Sequence, residues 1–468
     1  MRTRLESDSI GTKAVPENAY YGVQSLRAQE NFQITGHPMN PVFLKNLALI
    51  KKAAAVTNLA AGKLDAQVAE AIIKASEEVM DGSFREEFIV DAVQGGAGTS
   101  ANMNMNEVIA NRACELLGTR KGDYSTVHPN DHVNMAQSTN DVIPTAGKLT
   151  VLDLLQPLEG ELKRLHSALL KKSDEFDDVI KMGRTQLQDA VPMRLGQAFH
   201  AYAVMAERDR KRISDISREM LSVNLGGTAI GTSINVSEKY LDNIVPNLAS
   251  LSGYPLVQAD DLFDATENLD GFVAVSGALK TCAMDLSKMC NDLRLLSSGP
   301  KTGLAEISLP AKQNGSSIMP GKVNPVIPEV VTQVAYLVAG HDVTIAMAAE
   351  AGQMELNAFE PVAFYNLFES IEAMEGAVRT LTDNCIAGIR ANRARCRALM
   401  ESSAGVATAL SPYLGYKKSA EIAKQAVRED RTVREIVLTD GLMTEQELSR
   451  VLDPWSMTGV RAGTRQAM

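Results

Sequence analysis

One eleven-residue stretch concentrates the groups that could do acid–base chemistry. Gly315-Ser316-Ser317-Ile318-Met319-Pro320-Gly321-Lys322-Val323-Asn324-Pro325 carries two hydroxyls, one cation and one amide. Its two glycines and two prolines exclude a continuous helix or a central strand. A solvated connector is the commonest use of such a loop. The functional alternative is a mobile lid carrying a serine base or nucleophile, with Lys322 placed to hold a substrate carboxylate. No Gly-x-Ser-x-Gly elbow surrounds Ser316, which argues against a nucleophilic serine hydrolase.

Four further polar islands have the same character. Gly95-Gly96-Ala97-Gly98-Thr99-Ser100 precedes a helical pattern from Ala101 to Leu117, so Thr99 and Ser100 stand at a helix N-terminus. Free backbone N–H groups and the positive dipole end favour an anion there; an ordinary N-cap would use the same residues. The spacing matches neither G-x-G-x-x-G nor a P-loop, and no strand precedes it. Gln137-Ser138-Thr139-Asn140-Asp141 places three small hydrogen-bonding side chains in a row, which equally suits a helix cap. Gly183 to Asp189, with Arg184, Thr185 and Gln186, and Gly226 to Thr232 complete the set. Five such islands read as one site assembled by folding.

The elements that must position them are helical. Leu47, Ile50 and Ala54, then Val68, Ile72 and Ile73, recur at helical spacing, so helical hairpins are expected over residues 43–82. Leu158, Leu162, Leu165 and Leu169 form one stripe; Phe272, Val275, Leu279, Cys282, Leu286, Met289, Leu293 and Leu296 form another; Leu367, Ile371, Met374, Val378 and Leu381 a third. Such stripes belong to long helices packed side by side, and their apolar surface predicts homo-oligomerisation. Residues 1–40 read as an irregular arm, and no convincing strand cluster or internal repeat appears, so the fold class expected is all-α. Three domains are expected: 1–140, a central long-helix bundle 141–393, and a small C-terminal helical domain 394–468, where Thr444 and Glu447 form a capping box and Gly441 ends the preceding helix.

Composition narrows the function classes. The chain has 468 residues, 45% of them hydrophobic, with 57 acidic against 47 basic side chains. That balance argues against a nucleic-acid or anionic-membrane partner, while leaving a small anionic substrate open. No run approaches eighteen apolar residues and the N-terminus is polar, so a soluble cytoplasmic protein is expected. The five cysteines form no C-x-x-C pair and read as buried reduced thiols. The six histidines form no H-x-H or H-E-x-x-H, so no metal site is assigned.

The stretch Gly-Ser-Ser-Ile-Met-Pro-Gly-Lys-Val-Asn-Pro is similar to the signature of the aspartase/fumarase superfamily. Gly-Ala-Gly-Thr-Ser with Asn102-Met103-Asn104, Gln-Ser-Thr-Asn-Asp and Gly-Arg-Thr-Gln-Leu-Gln-Asp-Ala resemble that family's other regions, in the same order across nearly the whole chain. The resemblance implies a three-domain helical subunit in a D2 homotetramer around a twenty-helix core, each active site built from three subunits. It implies reversible trans-elimination of an amine or alcohol from a succinyl skeleton to give fumarate. No organic cofactor is implied, and Mg2+ would enter only as an activator. Val326-Ile327-Pro328-Glu329-Val330, Thr99-Ser100-Ala101-Asn102 and Gln186 resemble the aspartate-deaminating branch; the hydratase branch more typically carries Arg-Thr-His. The alternatives are a class II fumarase and a non-catalytic homologue, since this fold has been recruited to lens protein. The intact Ser316, Ser317, Lys322 and Asn324 argue against the latter.

Carried over residue by residue, the resemblance implies that Thr99, Ser138, Thr139 and Ser317 donate to the β-carboxylate, where charge grows as a carbon-bound proton leaves. Lys322, Asn324 and Thr185 would hold the α-carboxylate, and Asn140 and Gln186 would orient the amino group. Ser316 would be the general base, which requires oriented backbone N–H groups and nearby positive charge to stabilise its alkoxide. His128, Asn130 and Asp131 resemble a secondary anion site of fumarases, but a turn around Pro129 is the favoured reading.

Overall fold

The structure, a computed structural model, describes residues 2–459. It is dominated by helices, as the periodicity predicts. Strands β1 (Thr3–Asp8) and β2 (Gly11–Pro16) are followed by α1 (Val23–Asn31), α2 (Pro41–Ala60), α3 (Ala66–Met80) and α4 (Thr99–Leu116). The long helix α5 (Thr139–Glu175) leads into the hairpin β3 (Ile180–Thr185) and β4 (Gln188–Arg194), then α6 (Leu195–Ile216) and α7 (Glu238–Ser252). Helices α8 (Asp270–Leu296), α9 (Val326–Glu350) and α10 (Glu360–Asn384) follow, and the chain ends in the shorter α11 (Arg393–Ser402), α12 (Ser411–Glu429), α13 (Val433–Thr439) and α14 (Glu445–Val451).

By internal contacts the chain divides into two compact units. The first comprises Met1–Glu159, Lys211–Thr281 and Tyr336–Glu375; the second comprises Gly160–Arg210, Cys282–Ala335 and Gly376–Met468. Five long helices, α5, α6, α8, α9 and α10, supply residues to both.

The leucine stripe of α5 is fully buried, as are Phe272 to Leu293 along α8 and Leu367 to Leu381 along α10. Each fits the rule that an apolar row at a spacing of three to four residues covers one helix face. Close packing is visible where α5 meets α10. A methyl at Gly147 would fall 2.5 Å from the Phe364 ring, so only glycine admits that approach. All five cysteines are free and buried. Helix α9 keeps Val330, Tyr336, Leu337, Val343 and Met347 exposed. It is long and apolar enough to cross a membrane, yet it also carries Glu329, Gln333, His341 and Asp342, and Asp342 accepts hydrogen bonds from Ser276 and Lys280.

The capping box at Thr444 and Glu447 is present, Gly441 takes a left-handed φ of 59° after α13, and a second box at Thr432 and Glu435 opens α13. These helices close a small core of their own around Met400, Leu410, Ile422, Ile436 and Leu448.

Two expectations are corrected. The arm is not irregular: β1 and β2 pair antiparallel, and α1 follows. Only Glu6 and Val15 are buried in those strands, too few apolar positions to give a period-two signal. Their turn is set by Asp8, whose Oδ1 accepts the N–H groups of Ile10 and Gly11, both at 3.1 Å. Strands are therefore present, though as two-stranded pairs only among the described residues.

Candidate active site

In the first unit, the starts of α4 and α5 and the Gly226–Thr232 segment are tied together by hydrogen bonds. Helix α4 begins after Gly98, whose φ of 81° suits glycine, and a Cβ there would press on Ile143 at 3.0 Å. Thr99 is thus the first helical residue rather than the cap, and it is exposed. The N–H groups of Thr99, Ala101 and Asn102 are already taken by Gly96 O (2.9 Å), Gln94 Oε1 (2.7 Å) and Gly98 O (3.0 Å). With these three N–H groups committed, the helix start offers an anion fewer backbone donors than the free N–H row expected of an uncapped terminus, beside the hydroxyls of Thr99 and Ser100.

At α5, Ser138 and Asp141 cap the helix reciprocally. The Ser138 N–H donates to Asp141 Oδ1 (2.9 Å), and Ser138 Oγ accepts the Asn140 N–H (3.2 Å). Asp141 is fully buried, and its Oδ2 accepts the N–H groups of Gly226 (3.1 Å) and Thr228 (3.0 Å). Asn140 Nδ2 donates to Ala229 O (2.7 Å), while Asn224 Nδ2 donates to Asn140 O (3.0 Å). Thr139 Oγ1 accepts from Asn102 Nδ2 (3.2 Å), linking α5 to α4. The hydroxyl oxygens of Ser138 and Thr139 thus each accept one hydrogen bond from the protein, and each hydroxyl keeps its own proton to donate.

Beneath them lies a group that sequence reasoning did not assign. Lys51 of α2 has no exposed surface and donates to Asn102 Oδ1 (2.7 Å), Asn134 Oδ1 (2.9 Å) and Gln137 Oε1 (2.9 Å). Burial pushes its ammonium down to about 7 against the charge of Asp141, and pushes Asp141 up to about 6 against the N–H groups of Ser138, Thr228 and Gly226 and, less, the charge of Lys51. The available signal was a lysine set among Ala48, Leu49, Ile50 and Ala55 in an apolar helix.

His128 occupies a structural position. Its Nδ1 accepts the N–H groups of Asn130 (3.1 Å) and Asp131 (3.2 Å), capping a single π-turn over Pro129–Val133. His128, Pro129 and Asn130 line a cleft of about 550 Å3 together with Thr99 and Ser100.

In the second unit the candidates fall in two places. Thr185 and Gln188 pair to close a two-residue hairpin turn, in which Gln186 and Leu187 both take left-handed φ angles, 54° and 61°. Gln186 is therefore presented at an exposed tip. Arg184 anchors the hairpin, its Nη1 donating to Glu306 Oε1 (3.1 Å) and Oε2 (3.0 Å), with Lys181 Nζ 3.3 Å from Oε2. Gly183 is required because a Cβ would meet Val191 O at 2.8 Å.

The second place is the loop of residues 315–325, which is closed on itself. Gly315 N–H donates to Lys322 O (2.7 Å), and Asn324 Nδ2 donates to Gly315 O (2.9 Å). Within it, Ser316 Oγ accepts the N–H groups of Ile318 (3.2 Å) and Met319 (3.0 Å). Ser317 and Lys322 are exposed, and Ser316 and Asn324 partly so. Among the described residues no hydrogen bond links Gln186 to this loop.

Residues 11–340 match the family described as Lyase, and residues 406–459 match the Fumarase C C-terminus. The chain is 51% identical to an aspartate ammonia-lyase of Bacillus subtilis, covering 97% of this chain and 96% of that one. It is 48% identical to the aspartate ammonia-lyase of Escherichia coli K12, covering 96% and 94%. Among solved structures, a fumarate lyase:delta crystallin from Brucella melitensis bound to cobalt superposes with a TM-score of 0.96 at 50% identity, covering 98% of this chain and all of that one. A class II fumarase from Schistosoma mansoni superposes with a TM-score of 0.93 at 35% identity, covering 97% and 99%.

Proposed function

The chain belongs to the lyase family that contains aspartate ammonia-lyases and fumarases, and we propose that its own reaction is the reversible deamination of L-aspartate to fumarate and ammonia. The observation that carries this reading is the identity of about half of all residues, over nearly the full length, to aspartate ammonia-lyases from several genera.

The chemical problem is a weakly acidic proton on the carbon next to the β-carboxylate. Its removal puts a second negative charge on that carboxylate, and the dianion must be caged. Thr99, Ser138, Thr139 and Ser317 are the proposed donors, each such group being worth about 10²- to 10³-fold in rate. Ser138 and Thr139 each accept a bond from the protein and keep a hydroxyl proton to donate, which supports that role. Ser316 is the proposed base. The two N–H groups aimed at its oxygen favour the alkoxide, as does a cation, for which Lys322 is the residue in the same loop.

Lys322, Asn324 and Thr185 are proposed to hold the α-carboxylate, and Asn140 and Gln186 to orient the ammonium. One Asn324 N–H is committed to Gly315 O, leaving the other for substrate. Gln186 cannot supply a proton. An ammonium departs as neutral ammonia when the C–N bond breaks, whereas hydroxide leaving malate needs protonation, so an amide here suits deamination better than dehydration.

The assembly proposed is a cytoplasmic D2 homotetramer of three-domain subunits (1–140, 141–393, 394–468), with each active site shared by three subunits. The exposed apolar residues of α9 support self-association. The test is a substrate panel followed by fumarate absorbance, with and without Mg2+. Fumarate formed from L-aspartate and not from L-malate supports the reading. Formation from malate alone would indicate a fumarase, and formation from neither a non-catalytic homologue.

A further inference from the structure

We infer that Lys51 is a positioning residue that makes Thr139 a hydrogen-bond donor toward the substrate carboxylate, acting through the side-chain amide of Asn102. The inference rests on the proposed contact between Thr139 and the carboxylate.

An ammonium has three protons and no lone pair, so whatever it touches must accept. Lys51 Nζ touches three side-chain amides, Asn102 at 2.7 Å, Asn134 at 2.9 Å and Gln137 at 2.9 Å. Each must therefore turn its oxygen toward Lys51 and its NH2 away. For a side-chain amide, the two ends are nearly identical in shape, and only the partners decide which way it faces.

The consequence reaches the site through Asn102, which is 1% exposed. With its oxygen fixed on Lys51, its Nδ2 donates to Thr139 Oγ1 and to Asn134 Oδ1, both at 3.2 Å. Thr139 Oγ1 then receives a hydrogen from behind, and its own proton is left to point at the substrate. Were Asn102 reversed, its oxygen would face Thr139, and the threonine would spend its proton there. Asn134 Oδ1 also accepts from Asn106 Nδ2 (3.2 Å), so the whole cluster runs in one donor-to-acceptor direction. Gln137 Nε2, turned away from Lys51, donates to Val133 O (3.0 Å) and Met135 O (3.2 Å), which fixes the turn entering Ser138. Asp141 is the charged group that opposes Lys51 across this cluster.

Lys51 does not touch substrate in this scheme. A purely structural role would make its loss independent of Thr139, whereas positioning makes the two interdependent. The experiment is a double-mutant cycle of Lys51→Met and Thr139→Val on the full-length protein, with kcat and KM for L-aspartate and the binding constant of succinate as readouts. Lys51→Met is expected to lower kcat/KM by about 10²-fold, mostly in kcat, as for loss of one oxyanion donor. Thr139→Val is expected to cost a similar factor alone but less than about threefold when added to Lys51→Met.

Asn102→Asp covers the case in which Lys51→Met does not fold. It keeps an acceptor for Lys51 while removing the N–H to Thr139, and the same loss is expected. Additive effects in the cycle would overturn the inference, as would an Asn102→Asp variant with wild-type kcat. If the wild type does not turn over aspartate, the functional reading fails, and coupling in succinate affinity then decides the inference by itself.

Discussion

Replacing Glu306 with glutamine should loosen the hairpin that presents Thr185 and Gln186. Glu306 is fully buried, with the Arg184 guanidinium on both carboxylate oxygens and the Lys181 ammonium 3.3 Å away. Lys181 is 5% exposed, so solvent cannot take the place of the lost charge, while Asp189 Oδ1, 3.9 Å from Arg184 Nε, offsets part of the charge left on the guanidinium. Breaking a buried pair from one side costs about 3–5 kcal/mol, because the remaining charge stays uncompensated. Burial already holds the Lys181 ammonium below its ordinary value, with Glu306 opposing that shift. Without Glu306, Lys181 can shed its proton, which caps its share of the cost; Arg184 cannot.

We therefore expect the lower end of the range for Glu306→Gln, about 3 kcal/mol by urea unfolding, or a melting temperature lower by about 3 °C in a chain of 468 residues. Adding Lys181→Met should recover part of the loss, since it removes one stranded cation. KM for aspartate should rise before kcat falls. A Glu306→Gln protein within about 1 kcal/mol of wild type would refute the view that this carboxylate anchors the hairpin.

Three further outcomes follow from individual contacts. Gln186→Ala should raise KM for aspartate with a smaller change in kcat, and unchanged kinetics would remove Gln186 from the site. Gly147→Ala should destabilise by about 1–3 kcal/mol through the clash with Phe364, and Phe364→Leu should relieve it in the double variant. Asp91 accepts the N–H groups of Ile34, Thr35, Gly36 and Val93 and the Thr35 hydroxyl. Burial raises its pKa, but these bonds outweigh burial and hold it below the ordinary value. Its stabilisation is thus fully present above the unfolded value of 3.8 and lost as pH falls through the lower folded value. Asp91→Asn should be less stable at neutral pH and show a flatter acid limb in a pH series of unfolding free energies.

The long helices were legible because burial on one helix face leaves a spacing of three to four residues, and the residues named from Leu158 to Leu381 are buried except Leu296, which is half-buried at the last turn of α8. The strand pairs were not, since β1 and β2 bury one residue each. The β3–β4 turn was hidden for a different reason. Gln186 and Leu187 adopt left-handed angles without the Asn or Gly that ordinarily announces such a turn. The polar islands stood out in the sequence because glycine and hydroxyl clusters between apolar helices are conspicuous. What holds them was not readable. The apolar neighbours of Lys51 hint at burial but not at the three amide oxygens around it, and Asp141 looks like an N-terminal helix acid until Gly226 and Thr228 are found donating to it.

The central claim, that Ser316 removes the proton in an aspartate-deaminating site, is tested most directly by Ser316→Ala. The initial rate of fumarate formation from L-aspartate should fall by about 10³-fold or more, while succinate binding and the oligomeric state match wild type. A Ser316→Ala protein that turns over aspartate at the wild-type rate would contradict the account.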